Sequence, residues 1–161
     1  MPNWCMNSAT ISGTKEQIDA LIAAAEKDEM LEYLAPIGEW DYGKAIDTWG
    51  TKWEPHDIGI DGPHKDDGDY YVHINFDSAW GPPVEAYVNA EENLGLKISG
   101  SYYEPGMCFV GLYDMGENNS YEVDFSDAHW EEDIPSDLVS EWGLDYEYEM
   151  WKEWQDEEED A

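Results

Sequence analysis

Four histidines and two cysteines are the side chains best suited to metal or nucleophilic chemistry, and their spacing assembles neither. His56, His64, His73 and His129 lack the short spacing of a zinc site, and neither Cys5 nor Cys108 has a Cys-x-x-Cys partner. Asp66-Asp67-Gly68-Asp69 is a weak calcium-like cluster without the later ligands and distant glutamate of an EF-hand loop. No structural metal and no cofactor is therefore expected. There is no Gly-x-Ser-x-Gly elbow, no phosphate-binding glycine-rich loop and no His-Glu-x-x-His. Carboxylates are so abundant that a pair at any chosen spacing is uninformative. A Cys–His nucleophile pair would have to form its thiolate in a strongly negative field, which raises a thiol pKa. The expectation is a protein that is not an enzyme, with a small carboxylate-metal hydrolase as the lesser alternative.

The chemistry these residues do favour is electrostatic. The 161 residues carry 39 acids against seven lysines and no arginine, a formal net charge of −32. Roughly 2–8 charges keep a small domain soluble, and each further like charge destabilises the compact state. Asp114 to Ala161 hold 19 of the carboxylates and one lysine, Lys152. These acids are interleaved with Trp142, Tyr146, Tyr148, Trp151 and Trp154, which a purely solvating tail would lack. The candidate partner-binding acids are Glu122, Asp124, Glu131, Glu132, Asp133, Glu141, Asp145, Glu147, Glu149 and Glu153, with Trp142 and Trp151 as anchors.

A magnitude limits this reading. As a helix, Asp145 to Asp160 spans about 24 Å, and duplex DNA of that length carries roughly 14 negative charges. The stretch has nine carboxylates and Lys152. It cannot imitate a duplex unaided, so acids of the last strand and the following turn must converge with it on one surface. Halophilic adaptation also produces acidity, but gives arginine no reason to vanish. Without arginine the chain is poorly equipped to hold phosphates, and its charge opposes direct nucleic-acid binding.

High charge is also a mark of disorder, yet nine Trp, eleven Tyr and three Phe are too many for a disordered chain. No apolar run is long enough to cross a bilayer, and Met1–Thr10 has no signal-peptide pattern. The cysteines are then expected to be reduced and at least partly buried.

Local patterns predict the elements. Asn7–Ser12 reads as a strand, and Thr14 with Gln17 forms a capping box for a helix over Lys15–Lys27. Leu31 to Trp53 reads as a long Trp-, Gly- and Pro-rich loop with one short helical turn. His56–Asp61 and Asp69–Asp77 read as strands joined by a polar loop, Gly62–Gly68. A helix from about Pro83 ends at Gly95. Lys97–Tyr103, Met107–Asp114 and Ser120–Phe125 follow as strands, with turns at Pro105-Gly106 and Gly116–Asn119. Ser136 to about Trp154 reads as one helix, marked by Tyr146, Met150 and Trp154 at spacing four, with a frayed end at 155–161. The first six elements match the ferredoxin-like split βαβ arrangement.

Four ordered stretches carry a family likeness. They are Pro2-Asn3-Trp4-Cys5-x-Asn7, Trp49-Gly50-Thr51-Lys52-Trp53, Phe76-Asp77-Ser78-Ala79-Trp80-Gly81-Pro82-Pro83 and Tyr103-Glu104-Pro105-Gly106-Met107-Cys108-Phe109-Val110-Gly111. Over about Met1 to Tyr113 the chain resembles the YubB-type ferredoxin-like domain family of conjugative plasmids and bacteriophages. The resemblance implies an origin on a mobile element and the same fold, but no reaction.

The expected architecture is α+β: residues 1–125 form a ferredoxin-like βαββαβ antiparallel sheet extended by two strands. Residues 126–161 form an acidic, aromatic-containing helical extension packed on or beside it. The expected function is a DNA-mimic type of inhibitor in the host cytoplasm, binding a basic nucleic-acid-binding host protein. The alternative is an assembly module whose charge serves solubility and whose Trp-rich stretch, 40–53, is its recognition surface. In the favoured reading Trp49, Lys52 and Trp53 instead cover the open face of the sheet. No membrane association is expected, and a homodimer would double the length of the charged surface.

Overall fold

Alternation along Trp4–Gly13 turns Cys5, Asn7, Ala9 and Ile11 to one side and Met6, Ser8 and Thr10 to the other. This strand, β1, is longer at both ends than its sequence pattern predicts and lies inside the sheet. The computed structural model describes residues 3–160, with side chains through 158; Met1, Pro2 and Ala161 lie outside it. After β1 come α1 (Lys15–Glu26), α2 (Met30–Leu34), α3 (Tyr42–Trp49), β2 (His56–Asp66), β3 (Asp69–Ala79) and α4 (Val84–Leu94). Then follow β4 (Lys97–Glu104), β5 (Phe109–Asp114), β6 (Glu117–Glu122), α5 (Ser136–Glu141) and α6 (Leu144–Asp160). Among the described residues the fold is α+β, with six strands in one antiparallel sheet of order β2-β3-β1-β4-β5-β6 and six helices.

The capping box starts α1 as its sequence predicts: Thr14 Oγ1 accepts from Gln17 N, and Gln17 Oε1 accepts from Thr14 N. The expected loop over 31–53, with its one short helical turn, holds two helices, α2 and α3. Asp41 caps α3 by accepting from Lys44 N at 3.0 Å, and Gly50 ends it at φ 78°. Nor is 62–68 a loop. β2 continues through it to Asp66, and a tight Asp67-Gly68 turn with both residues at positive φ leads into β3. The last hairpin turns at Met115-Gly116, so Glu117–Asn119 belong to β6. The expected single C-terminal helix is broken at Gly143 (φ 62°), and its final segment stays helical to Asp160 rather than fraying at 155.

Two cores sandwich the sheet. One buries Ile18 and Leu21 of α1, Leu31 and Leu34 of α2, Trp49 of α3 and Tyr87 of α4 against Ile11, Val72, Ile74 and Ile98. The other lies on the opposite face, where Tyr103 and Val110 meet Val123, Trp130, Ile134, Leu138, Val139 and Leu144. Trp49 thus packs under the helices and donates Nε1–H to Ala35 O at 2.7 Å, not over the open face. Trp53 does reach that face at its end, with ring centroids 6.3 Å from Trp4 and 6.5 Å from His56. Cys5 is fully buried but Cys108 is exposed, contrary to the expectation for the pair; both are free.

Sheet packing around Gly111 is tight enough to test. A Cβ there would lie 2.4 Å from the Tyr102 ring and 2.5 Å from Asn119 O. Gly111→Ala is therefore expected to cost about 1–3 kcal/mol, read as a lower urea midpoint with unchanged slope.

Among the described residues no helix is long and apolar enough to cross a membrane.

Candidate functional site

A chain with seven lysines cannot pair 39 carboxylates. Among the described residues the single lysine–carboxylate bridge is Lys15–Asp19 at 2.8 Å, an exposed pair. Inward-facing carboxylates accept backbone N–H groups instead. Glu54 takes Leu31 N (2.7 Å) and Glu32 N (3.0 Å), while Glu32 takes Ile37 N (2.9 Å) and Gly38 N (3.0 Å). Glu104, 1% exposed, takes Gly106 N (2.7 Å) and Met107 N (2.6 Å).

The C-terminal segment is held by aromatic packing. Phe125 and Trp130 meet edge-on with centroids 5.0 Å apart, and both pack on Tyr148 of α6, at 5.6 and 5.4 Å. Trp151 stacks nearly parallel to Tyr148. The core-facing positions of α6 are therefore Leu144, Tyr148 and Trp151, at helical spacing. Tyr146, Met150 and Trp154, which marked the helix in sequence, are exposed, Tyr146 by 70% and Trp154 by 67%. Helical periodicity places Asp145, Glu149 and Glu153 on the side away from Glu147, Trp151 and Trp154, and all three are exposed.

The other candidate acids divide. Glu122, Asp124 and Asp133 line one cup of about 340 Å³ at the free edge of β6, together with Asp127 and His129. Asp124 flanks Phe125, whose ring packs on Tyr148 and Trp151 of α6, whereas Asp145, Glu149 and Glu153 lie on another face of that helix. Glu131 and Glu132 are exposed in the adjoining turn, Glu132 lying 3.5 Å from His129 Nδ1. Two acids are engaged within the chain: Glu141, though exposed, and Glu147, which is half-buried. Glu141 accepts from Ser101 Oγ at 2.6 Å in a groove between α5 and the sheet. Glu147 accepts the Tyr103 hydroxyl. Trp142 is half-buried against Tyr103, at 6.3 Å, and serves the second core rather than a partner.

Sequence reasoning missed a cleft of about 670 Å³ between α6 and the end of β4. It is lined by Tyr103, Pro105, Cys108, Val123, Phe125, Glu147, Met150, Trp151 and Trp154. Burial, followed by the hydrogen bond to Glu147, pushes the Tyr103 hydroxyl well above the ordinary range, so it donates at all working pH values. Cys108 at its mouth has its thiol pushed up by burial and by Glu104, Asp124, Glu122 and Glu147. That is the wrong direction for a nucleophile.

The four stretches that carry the family likeness meet at one end of the sheet; Pro2, which opens the first, lies outside the described residues. Asn7 Nδ2 donates to Cys5 O (3.0 Å), Phe76 O (3.3 Å) and Ser78 Oγ (2.8 Å). Thr51 Oγ1 donates to Ala79 O at 2.8 Å, and Trp80 N to Asn3 O at 2.8 Å. A Cβ on Gly106 would lie 2.8 Å from both the Asn3 and Glu104 side chains. Burial first, then Glu104 and Asp77, drives the Cys5 thiol far above its ordinary range. The arrangement is a buried polar lock that fixes strand ends and turns. Elsewhere, His64 and His73 stand 6.1 Å apart beside Tyr71. Among the described residues no three His, Cys, Asp or Glu side chains are grouped to hold a metal ion.

No family model matches the chain, and no curated protein matches it. A solved structure similar to it in part is the crystal structure of protein api92 from Yersinia pseudotuberculosis, of family DUF1281. The two share 19% sequence identity at a TM-score of 0.37, over 59% of this chain and 36% of that one. The chain thus spans about a third of the length of the protein it is matched to.

Proposed function

We propose that this is a non-catalytic, cytoplasmic protein of a mobile genetic element that binds a basic, nucleic-acid-handling host protein and occludes its nucleic-acid site. The observation that carries this reading is the pinning of α6 by Phe125, Trp130, Tyr148 and Trp151. It holds Asp145, Glu149 and Glu153 outward on a fixed helix. Acids on a solvated tail would lose backbone freedom on binding, whereas the backbone carrying these is already fixed. Successive acids of the stripe rise by about 6 Å, against one phosphate per roughly 3.4 Å along a DNA strand. The stripe therefore has about half the charge density of one strand, and the inhibitor acts by charge-guided occlusion more than by close imitation of a duplex. Glu122, Asp124 and Asp133 in the cup at the β6 edge add to the overall negative field.

The order β4-β1-β3-β2, with α1 and α4 packed on one face, supports a ferredoxin-like core within residues 1–125. That core in turn supports the likeness to the YubB-type family. Binding belongs to residues 126–161 with the β6 edge. The buried Trp49 cannot serve the alternative of an assembly module that uses the Trp-rich stretch, which would have to rely on the exposed Trp40 and Tyr42.

Capture from a host lysate at low salt, followed by a salt gradient and by competition with duplex DNA, tests the proposal. A basic nucleic-acid-binding protein is expected to elute late and to be displaced by DNA. Combining Asp145→Asn, Glu149→Gln and Glu153→Gln is expected to weaken its binding about tenfold at low salt. Full retention by this variant, or capture that is indifferent to salt and DNA, overturns the reading.

A further inference from the structure

The cleft beside α6 combines three properties that an acidic surface alone would not need. Its walls are aromatic, with the rings of Tyr103, Phe125, Trp151 and Trp154. Its flank leaves apolar surface in water, Trp154 being 67% and Met150 44% exposed. It carries one acid, Glu147, whose Oε2 takes the Tyr103 hydroxyl and whose Oε1 remains for a further donor.

Aromatic faces beside a carboxylate attract a cation with an apolar stem. The chain already sets two of its own cations over rings: Lys52 Nζ lies 4.5 Å from the Trp53 centroid, and Lys152 Nζ 5.2 Å from that of Tyr148. A guanidinium fits such walls better than an ammonium, since it is flat, weakly hydrated and stacks on rings. This sequence has no arginine, so a guanidinium must come from another molecule. The volume, about 670 Å³, accommodates a long side chain and flanking peptide.

We infer that this cleft takes an arginine side chain of the basic partner, stacked on Trp154 and Trp151 with its guanidinium directed to Glu147. The inference rests on the proposed binding of a basic protein and adds where, and by which side chain, that protein is anchored.

The test titrates the full chain with hexa-arginine and hexa-lysine peptides, followed by tryptophan fluorescence and calorimetry. Hexa-arginine is expected to bind more tightly than hexa-lysine. Trp154→Ala is expected to weaken hexa-arginine about five- to tenfold and to erase the preference. Trp154→Phe should restore most of it, and Trp40→Ala, another exposed tryptophan, should change nothing. Trp154 is largely exposed, so its removal leaves the fold intact, which a thermal melt verifies. If Trp154→Ala keeps both affinity and preference while neutralising Asp145, Glu149 and Glu153 weakens both peptides, the cleft inference falls and the acidic-surface reading stands. If neither peptide binds at low salt, both readings fall.

Discussion

Replacing Glu104 with alanine is expected to destabilise the protein by about 3 kcal/mol, a loss of roughly 10 °C in melting temperature for a chain of this size. The carboxylate is 1% exposed and accepts Gly106 N at 2.7 Å and Met107 N at 2.6 Å. Hydrogen bonds to a charged acceptor contribute about 1.5–3 kcal/mol each. The turn they hold ends at Cys108, a non-glycine residue at φ 59°, which persists only where its surroundings enforce it. Glu104→Gln keeps one acceptor oxygen and should lose about half as much. A second readout separates this role from generic core damage. Glu104 helps to hold the Cys108 thiol up, so Glu104→Gln should speed its alkylation at neutral pH. Urea unfolding of Glu104→Ala within about 1 kcal/mol of the parent would contradict the assignment.

Mild acid is expected to raise the melting temperature, by about 5 °C between pH 8 and pH 5.5 at low salt. Burial pushes Glu54 up to about 7, against the two N–H groups that favour its charged form. Its folded state binds a proton more readily than its unfolded state does. The resulting stability is complete below the ordinary carboxylate range and disappears as pH rises through about 7. Solvent screening at this half-buried group limits the contribution to roughly 1–2 kcal/mol. Asp77 is pushed up as well, by burial and then by Asp57, and acts in the same direction. Partial neutralisation of the −32 charge adds to both. Salt near 0.5 M should narrow the difference by screening the general repulsion, and Glu54→Gln should remove part of what remains. A maximum at pH 8 would refute this account.

Legibility in the sequence followed the strength of local signals. β3 alternates over its whole length, and the Thr14–Gln17 capping box and Gly95 state the bounds of α1 and α4 in single residues. The helix α3 was hidden because Gly and Trp dominate its neighbourhood, although Asp41 three residues before Lys44 is an N-cap signal in hindsight. β6 begins Glu-Asn-Asn-Ser, polar on both faces because an edge strand buries little, so its start reads as a turn. On α6 the spacing of Tyr146, Met150 and Trp154 is helical, but spacing does not say which stripe is buried. Leu144, Tyr148 and Trp151 took the core because Phe125 and Trp130 stand opposite them. The fate of Glu141 and Glu147 depends on hydroxyls 40 and 44 residues away, Ser101 and Tyr103, which no local pattern could foretell.

The sheet's two borders have a further bearing on how the molecule meets its surroundings. β2 is interrupted by register shifts between His56 and Gly59 and between Asp61 and His64, and Pro63 offers no N–H within it. β6 carries Glu117 and Glu122 at its ends. Borders of this kind do not template added strands. Register shifts and Pro63 on one border and glutamates on the other thus insulate the sheet against strand-by-strand self-assembly, even in concentrated solution. A partner cannot simply zip onto the backbone there; it has to recognise side chains.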